Sequence, residues 1–490
     1  MKERIATSVF WIGWSKGVLQ AISFFATLVV ARLLDPHDYG LAALSGIWVS
    51  GLILFAELGL GNAVIQFRDI DNQELNYCFW LTVGTTVTGY LAIYALAPWV
   101  AIWFASPQLA EVLRYMSVAL VLVGLRVVPD GLLRKRLCFD KVAQAEILAI
   151  LTTIPLQIML AWMGAGVWAL VAGMLMLQLV QTASTFYLAR WWPGFRLGGP
   201  RLKEILGYSL TTLGGRLSWG IFDQVDAFVL GKMFGDTALG VYSMGKQLAL
   251  LPVHKIAVVI NQLTHPVMAE LQQDKEQMKR VLLRQIRLVG CLTTPLCIGF
   301  ALVADDVILV ALTEKWLPAV PLVRVLCLYA AWQSLSILLP PILFARFRTK
   351  VILWWNTSLL VVMPVAFWAG AVWQGTLGLT LAWITAYPLL TLIIVYEVNK
   401  ELDLQWSTLG LQLLPIVKAT LMMSIAVLMF RSYVSVSDTT EAILRLVPSA
   451  ILGALSYAAV IYWQGRHMIP ELTEVFGWLF RRQREVSPAR

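Results

Sequence analysis

Charged residues are scarce in this chain of 490 residues. They make up 14% of the sequence, whereas a soluble domain carries about 25%. Hydrophobic residues make up 59%, and they stand in runs long enough to cross a lipid bilayer as helices. The composition therefore argues against a soluble globular protein and predicts an all-α, polytopic membrane protein.

Cysteine frameworks and the motifs of soluble enzymes are also missing. The five cysteines are odd in number, lie mostly in apolar segments and have no histidine at metal-ligand spacing, so we expect neither disulfides nor a metal site. The chain contains no Walker A sequence, no H-E-x-x-H and no convincing nucleophile elbow. We therefore expect neither an enzyme nor a bound cofactor.

Long polar segments are absent as well. The sequence has no room for a nucleotide-sugar domain, nor for the large external loop that is usual in membrane polymerases. The net charge of +9 comes from lysine and arginine in short loops on one side of the predicted membrane region. This distribution is typical of membrane topology, so no nucleic-acid partner is expected.

What the chain does contain is a series of apolar windows of about 20 residues. They predict about 14 transmembrane helices, at residues 8–33, 41–62, 78–104, 108–132, 143–163, 166–189, 205–231, 239–264, 283–304, 318–344, 351–373, 376–397, 411–430 and 446–465. Basic residues concentrate in alternate loops and at both ends of the chain. By the positive-inside rule, this asymmetry predicts that both termini are cytoplasmic.

The sequence also contains a sparse internal repeat. Three residues of the first half have counterparts 200 positions later: Lys16, Arg32 and Gly40 correspond to Arg216, Lys232 and Gly240. Predicted helices 1 and 7 run in the same direction, so the repeat predicts two pseudo-symmetric six-helix lobes. The predicted lobes span residues 1–190 and 205–400, two additional transmembrane helices span 411–465, and a cytoplasmic amphipathic tail spans 466–490.

A further amphipathic stretch lies between predicted helices 8 and 9. Residues 265–287 place Met268, Leu271, Met278 and Leu282 at roughly helical spacing among charged residues. This pattern is typical of a helix that lies in the membrane interface. We expect the segment to anchor and connect helices on the cytoplasmic side.

Cations inside the predicted spans mark a candidate binding site. A charged side chain at the bilayer centre costs about 2.5 kcal/mol or more, so its presence there suggests a function. The polar candidates on predicted helices 1, 7 and 8 are Lys16, Gln20, Arg216 and Lys246. Guanidinium and ammonium groups near the midplane suit an anionic head group, and we predict that these residues bind one.

Three carboxylates accompany these cations, namely Glu57, Asp223 and Asp226. One interpretation is coupling, in which Na⁺ or a proton competes for the carboxylates and gates the site. The other is structural, with Asp223 permanently paired to Arg216 at the i, i+7 spacing. The residues alone leave both interpretations open.

Seven stretches together resemble one family of membrane proteins. In chain order they are ARLLDPHDYGLAAL, FAELGLGNAVIQFRDIDNQELNYCFW, LLRKRLCFDKVAQAEI, GAGVWALVAG, VLGKMFGDTALGVYS, HPVMAELQQDKEQMKR and LTEKWLPAVPLVRVL. They resemble the WzxC-like polysaccharide transporter family of the multidrug/oligosaccharidyl-lipid/polysaccharide (MOP) exporter superfamily. The resemblance covers roughly residues 1–400.

The resemblance implies a flippase in the bacterial cytoplasmic (inner) membrane. Such a protein moves undecaprenyl-diphosphate-linked oligosaccharide to the outer leaflet by alternating access. It meets membrane lipids and works beside polysaccharide polymerase or assembly proteins. Trp14 and Trp219 then become candidates for stacking on sugar rings, besides a packing role. Where the family often has asparagine before the aspartate of helix 7, this chain has Asp223, followed by Asp226.

Two other functions stay open from the sequence. A multidrug or organic-cation antiporter of the same superfamily should have a net acidic cavity, whereas the cations here at least balance the acids. A non-transporting scaffold of a polysaccharide assembly complex would leave the buried charges unexplained.

Overall fold

The computed structural model of the chain describes residues 22–56, 59–67, 69–434 and 439–464, without the side chains of 54, 56, 210–219 and 263. Within these ranges it is helical and has no β-strand, which confirms the all-α prediction. The described part contains nine helices that are long and apolar enough to cross a membrane. The predicted count of about 14 stays a prediction, because several predicted spans are joined within one long helix.

The chain divides into two compact units, Met1–Ser243 and Met244–Arg490. The lobe boundaries expected from the sequence stay a prediction. The helices that begin in the first unit are α1 (Ile22–Leu33), α2 (Pro36–Ala56), α3 (Leu60–Gln66), α4 (Asn72–Trp103), α5 (Leu109–Met116), α6 (Val118–Lys135), α7 (Phe139–Trp162), α8 (Val167–Ala189) and α9 (Leu202–Ala249). Helix α9 bends at Gly235, which has a positive φ of 81°.

The second unit continues with shorter and longer helices in alternation. A π-helical turn at Val253–Ala257 leads into α10 (Val258–Glu270), α11 (Lys275–Leu302) and α12 (Ala304–Ala311). A 3₁₀ turn at Glu314–Ala319 precedes α13 (Val320–Ser336), α14 (Pro340–Ala345), α15 (Thr349–Glu401), α16 (Trp406–Tyr433) and α17 (Thr439–Gln464). Helices α16 and α17 pack against each other, α16 also packs on α11, and α17 packs on α12.

Helix α15 contains two predicted spans joined at a tight bend. Gln374 and Gly375 have non-helical backbone angles, at the boundary that the sequence predicts between 351–373 and 376–397. The bend brings Gly370 close to Gly378, where a Cβ on Gly370 would lie 2.3 Å from the carbonyl oxygen of Gly378. Two glycines therefore allow the backbones on either side of the bend to touch.

Several helices end in the same left-handed turn, and these turns recur between the units. Leu137 (φ 56°) follows α6 and Phe347 (φ 57°) follows α14. In both, the next amide donates to a carbonyl five residues back: Cys138 to Leu133 at 2.9 Å and Arg348 to Leu343 at 2.8 Å. This is the Schellman arrangement, which satisfies carbonyls at a helix end. Other positive-φ pairs about 210 residues apart are Ala105/Thr313, Gly166/Gly375 and Arg190/Asp403.

Helix α4 begins with a capping box that also holds a distant loop. The Asp71 side chain accepts from the Glu74 amide at 2.7 Å, and the Glu74 carboxylate accepts from the Asp71 amide at 3.1 Å. Both bonds satisfy amides that a helix start leaves without partners. The buried Glu74 also accepts from the Arg201 amide at 3.1 Å. The start of α4 is thus fixed to the loop between α8 and α9.

The expectation of an interfacial helix at residues 265–287 is wrong. The segment is split between the end of α10 and the start of α11, with a break before Lys275. Met268, Met278 and Leu282 are fully buried in the second unit. The amphipathic pattern is the same for a helix that lies on a membrane and for one that packs on protein, which explains the error. The amphipathic tail predicted at 466–490 lies outside the described residues.

Candidate functional site

The predicted cation pair lies partly outside the described residues. Trp14, Lys16, Gln20 and Glu57 belong to the segments that the structure does not describe. Arg216 and Trp219 lie on α9, but their side chains are not described either. Anion binding by Lys16 and Arg216 therefore stays a prediction. Of the other predicted site residues, the structure describes Asp223 and Asp226 in the first unit and Lys246 in the second.

The two aspartates of α9 have different surroundings. Asp226 is fully buried, accepts a short hydrogen bond from the hydroxyl of Tyr242 and accepts from the Ala227 amide at 2.8 Å. Because Tyr242 lies beyond the bend at Gly235, this bond connects the two straight parts of α9. Asp223, one turn earlier, is exposed. Sequence reasoning treated the two carboxylates alike, and their burial separates them.

Lys246 lies near the end of α9, in the second unit, against an aromatic cluster. Its ammonium is 5.2 Å from the ring centroid of Trp383, within the range of a cation–π contact. The Trp383 ring in turn lies 4.4 Å from Tyr329 and 5.0 Å from Phe367, centroid to centroid. Trp383 is 2% exposed, so the half-buried ammonium is the polar edge of an otherwise apolar cluster.

The repeated glycines meet at a helix crossing within the first unit. A Cβ on Gly240 would lie 1.8 Å from the carbonyl oxygen of Pro36, and one on Gly40 would lie 1.8 Å from the carbonyl oxygen of Asp236. Two backbones approach this closely only where both residues lack a side chain. The matched positions of the two halves are therefore the positions at which α2 and the second part of α9 touch.

A polar cluster surrounds this crossing, and the sequence analysis did not identify it. Asp236 accepts from the Ser106 hydroxyl at 3.0 Å and lies 3.4 Å from Nε2 of His37. Lys232 donates a short hydrogen bond to the Trp103 carbonyl, with its ammonium 4.8 Å above the Trp103 ring. The signal available in the sequence was the repeat itself, because His37 and Asp236 lie beside Gly40 and Gly240.

A second ionic cluster joins helices of the second unit. Arg431 on α16 and Arg445 on α17 both contact Asp305 and Asp306 at the start of α12, at N–O distances between 2.5 and 3.2 Å. Arg324 on α13 approaches Asp305 at 3.5 Å. The signal in the sequence was that Arg431 and Arg445 fall in predicted extracytoplasmic loops, against the positive-inside trend.

The described residues contain no group of three or more His, Cys, Asp or Glu side chains that could hold a metal ion. What they do provide is an exposed carboxylate beside a buried one on α9, and a half-buried cation on an aromatic surface.

Comparison with known proteins gives a consistent family and fold. Residues 29–321 match the sequence model of a family described as polysaccharide biosynthesis protein. The chain is 22% identical over 407 residues to the lipopolysaccharide biosynthesis protein WzxC of Escherichia coli K12, with 82% of each chain covered. It is 22% identical over 482 residues to the succinoglycan biosynthesis transport protein ExoT of Rhizobium meliloti, with 96% of each covered.

Among solved structures, the lipid II flippase MurJ in an inward closed conformation matches with a TM-score of 0.71 at 12% identity. The match covers 94% of this chain and 99% of that one. An inward-facing multidrug resistance transporter of the MATE family, in the MOP superfamily, matches with a TM-score of 0.58 at 15% identity, covering 77% and 94%. At these identities, the structural likeness establishes the fold.

Proposed function

Because the chain belongs to the polysaccharide biosynthesis protein family, we propose that it moves lipid-linked oligosaccharide units across the bacterial cytoplasmic membrane for surface polysaccharide assembly. The observation that carries this proposal is the family match over residues 29–321. It confirms the resemblance that the sequence motifs indicated. The nine helices suited to cross a membrane in the described part make this a multi-pass membrane protein. Polymerase or assembly proteins as partners are part of the proposal.

Alternating access is the proposed mechanism. The crossing of α2 and α9 at Gly40 and Gly240 supports it, because both glycines lie on the side that the sequence predicts to be extracytoplasmic. The two helix backbones are in direct contact there, so the helices could separate at this point without moving any side chain out of the way. In this proposal the crossing separates when the protein opens outward, while His37, Ser106 and Asp236 exchange their mutual contacts for water.

The diphosphate of the carrier lipid is the proposed ligand of the central cations. Arg216 offers a planar fork of donors, and Lys16 and Lys246 act as point charges. Gln20 would add an amide, and Trp14 and Trp219 would stack on sugars. The position of Lys246 against Trp383 supports this assignment, because the aromatic surface positions an ammonium whose side chain is only partly buried.

Coupling to Na⁺ or a proton is assigned to Asp223 rather than Asp226. Asp223 is exposed on α9 and therefore accessible to an ion, whereas Asp226 is buried and hydrogen-bonded to Tyr242. Glu57 is the proposed partner of Asp223 in this step. A buried carboxylate that connects two parts of a bent helix is better suited to a structural role than to binding and releasing an ion.

Reconstituted transport tests the proposal. Liposomes containing the protein and a polyprenyl-diphosphate oligosaccharide in the inner leaflet should expose the sugar to an external lectin. Empty liposomes and liposomes with Lys16→Ala, Arg216→Ala protein should show at least about tenfold slower exposure, because about 1.4 kcal/mol of binding energy corresponds to tenfold. Lectin exposure equal to that of empty liposomes, together with proton-driven efflux of an organic cation, would instead establish the antiporter function.

A further inference from the structure

An open groove runs along one face of α4 in the first unit. Its volume is about 520 Å³. One wall comes from α2 and the floor and end come from α4: Leu52, Phe55, Trp80, Gly84, Thr88 and Ala92. The α4 residues follow one another at i, i+4 spacing, so they form a single row along the helix. From Trp80 to Ala92 the row is about 18 Å long at 1.5 Å per residue.

The floor of the groove is mostly apolar. The hydroxyl of Thr88 donates to the Gly84 carbonyl at 2.8 Å, and that of Thr85 donates to the Leu81 carbonyl at 3.0 Å. Both threonines therefore satisfy their hydroxyls on their own helix. A Cβ at Gly84 would meet no atom within 4 Å, so the groove is open at its centre.

A firmly held, basic loop packs on Trp80 at one end of the groove. The Trp80 indole donates to the Gly194 carbonyl at 2.9 Å, and its ring stacks on Phe195 with centroids 5.1 Å apart. One turn earlier on the same row, the buried Asn76 accepts from the Gly194 amide at 2.9 Å and donates to the Arg196 carbonyl at 3.2 Å. These contacts fix the backbone of residues 194–196 against Asn76 and Trp80, and the Arg196 side chain is exposed.

The two ends together define an amphipathic ligand. Hydrocarbon fits the groove, because the groove runs along a helix long and apolar enough to cross the membrane. Its length is similar to the thickness of one leaflet of a bilayer core, about 15 Å. An anionic group complements Arg196 at the loop end, which the sequence predicts to be cytoplasmic. Guanidinium groups favour phosphate because they can bind it through two hydrogen bonds.

We propose that this groove, defined by Leu52, Phe55 and the α4 row from Trp80 to Ala92, holds the polyisoprenoid chain of the carrier lipid, with its phosphate at Arg196. The assignment rests on the proposed function, which supplies a single-chain phospholipid-like carrier in the cytoplasmic leaflet. Because lipid tails are as apolar as the groove, selectivity comes from packing against its walls and from the phosphate contact rather than from hydrophobicity.

Photo-crosslinking of the full-length protein tests this assignment. The protein is placed in phosphatidylcholine nanodiscs with a polyprenyl phosphate that carries a photoreactive group on its chain, and labelled peptides are mapped. Labelling should fall on α2 and α4. Gly84→Leu should reduce it about tenfold, since the added side chain fills the groove and a Cβ there meets nothing. Gly410→Leu is the matched control: Gly410 is an exposed helical glycine in the second unit with equally open space.

The phosphate contact is tested in the same assay. Arg196→Gln should lower labelling several-fold, whereas Lys203→Gln, which removes an exposed charge nearby, should leave it unchanged. Labels that map away from α2 and α4, or equal competition by phosphatidylglycerol, would overturn the assignment. The transport assay separates the two proposals. If the protein transports the lipid-linked oligosaccharide but the labels map elsewhere, only the groove assignment is rejected. If the groove is labelled but no transport occurs, only the proposed transport function is rejected.

Discussion

The turns after α6 and α14 have the same backbone conformation but different side-chain partners. In both, an arginine precedes a left-handed residue, Arg136 before Leu137 and Arg346 before Phe347. Arg136 donates to the Ala189 carbonyl at the end of α8, at 3.0 Å. In the second unit Arg346 donates to the Gln272 carbonyl at 2.9 Å and also lies 3.5 Å from the carboxylate of Glu401. Both arginines thus bind a backbone carbonyl, and only the one in the second unit also has an acid beside it.

Neighbouring residues extend this difference. In the first unit Lys135 donates to the Phe67 carbonyl at 2.7 Å. In the second unit Arg348 contacts Glu397 at 3.1 Å and Glu401 at 3.0 Å. Carbonyls at helix ends need a donor whatever the salt concentration, whereas half-exposed ion pairs weaken in salt. The backbone therefore conserves a shape that each unit stabilises by different means.

The ends predicted to be extracytoplasmic show the contrast more strongly. In the first unit Arg114 lies over the ring of Tyr94, 4.6 Å from its centroid. Its counterpart 210 residues later, Arg324, lies beside the Asp305–Asp306 pair that binds Arg431 and Arg445. The acids in the second unit coincide with the two extra helices, α16 and α17. The ionic cluster links both of these helices to the start of α12.

Removing an acid of this cluster should have the largest effect. Asp306 is 1% exposed and binds two arginines, so Asp306→Ala leaves two nearly buried guanidiniums short of an acceptor. Breaking a buried ion pair in this way costs about 3–5 kcal/mol. The melting temperature of the purified protein should fall by many degrees, and protease should cut between α16 and α17. An unchanged melting curve would show that the apolar contacts of α16 and α17 suffice.

Closing the space at the glycine crossing should have the next largest effect. The new methyl group of Gly240→Ala would lie 1.8 Å from the Pro36 carbonyl oxygen, so α2 and α9 must move apart. Overpacking of this kind costs about 1–3 kcal/mol. The control is Gly207→Ala on the same helix, where a Cβ meets nothing within 4 Å and stability should rise by up to about 1 kcal/mol. Equal thermal stability of the two variants would contradict the close backbone contact between α2 and α9.

Much of this architecture follows from local sequence signals. Apolar runs identified the helices, and the bend at Gln374–Gly375 falls at the predicted boundary between two spans. Gly40 and Gly240 were recognised as matched positions, but a spacing of 200 residues does not reveal that they touch. A close backbone contact depends on how α2 and α9 cross, and that is decided by the whole first unit.

Charged residues were harder to interpret than apolar ones. Asp223 and Asp226 are equally acidic in the sequence, and only the folded structure distinguishes them, by the burial of Asp226 and its hydrogen bond from Tyr242. Arg431 was visible as an exception to the positive-inside trend, yet its partner Asp306 lies 125 residues away. Ion pairs between distant helices leave no periodic pattern, so their presence is detectable from sequence but their partners are not.

The turns after α6 and α14 should differ in their response to salt. Glu401→Gln weakens the contacts of Arg346 and Arg348, which are partly exposed. The expected loss is about 1 kcal/mol at low salt and less at high salt, because the wild-type pairs are themselves screened. Arg136→Gln in the first unit should cost a similar amount that does not change with salt. Melting temperatures at two ionic strengths measure both losses. If the two variants lost stability with the same dependence on salt, the proposed difference between the two turns would be contradicted.

The smallest effect is expected at the matched arginines near the other ends of the units. Arg114 is half-buried and lies over Tyr94, and a partly exposed cation–π contact contributes about 0.5–1 kcal/mol. The side chain of Arg324 is 51% exposed, and Asp305 is already bound by Arg431 and Arg445. A third cation beside one carboxylate adds little stability, because the two guanidiniums that lie closer to the carboxylate repel it. Arg324→Gln should therefore cost no more than Arg114→Gln in a thermal melt. A loss as large as that of Asp306→Ala would mean that Arg324 belongs to the buried cluster rather than to its edge.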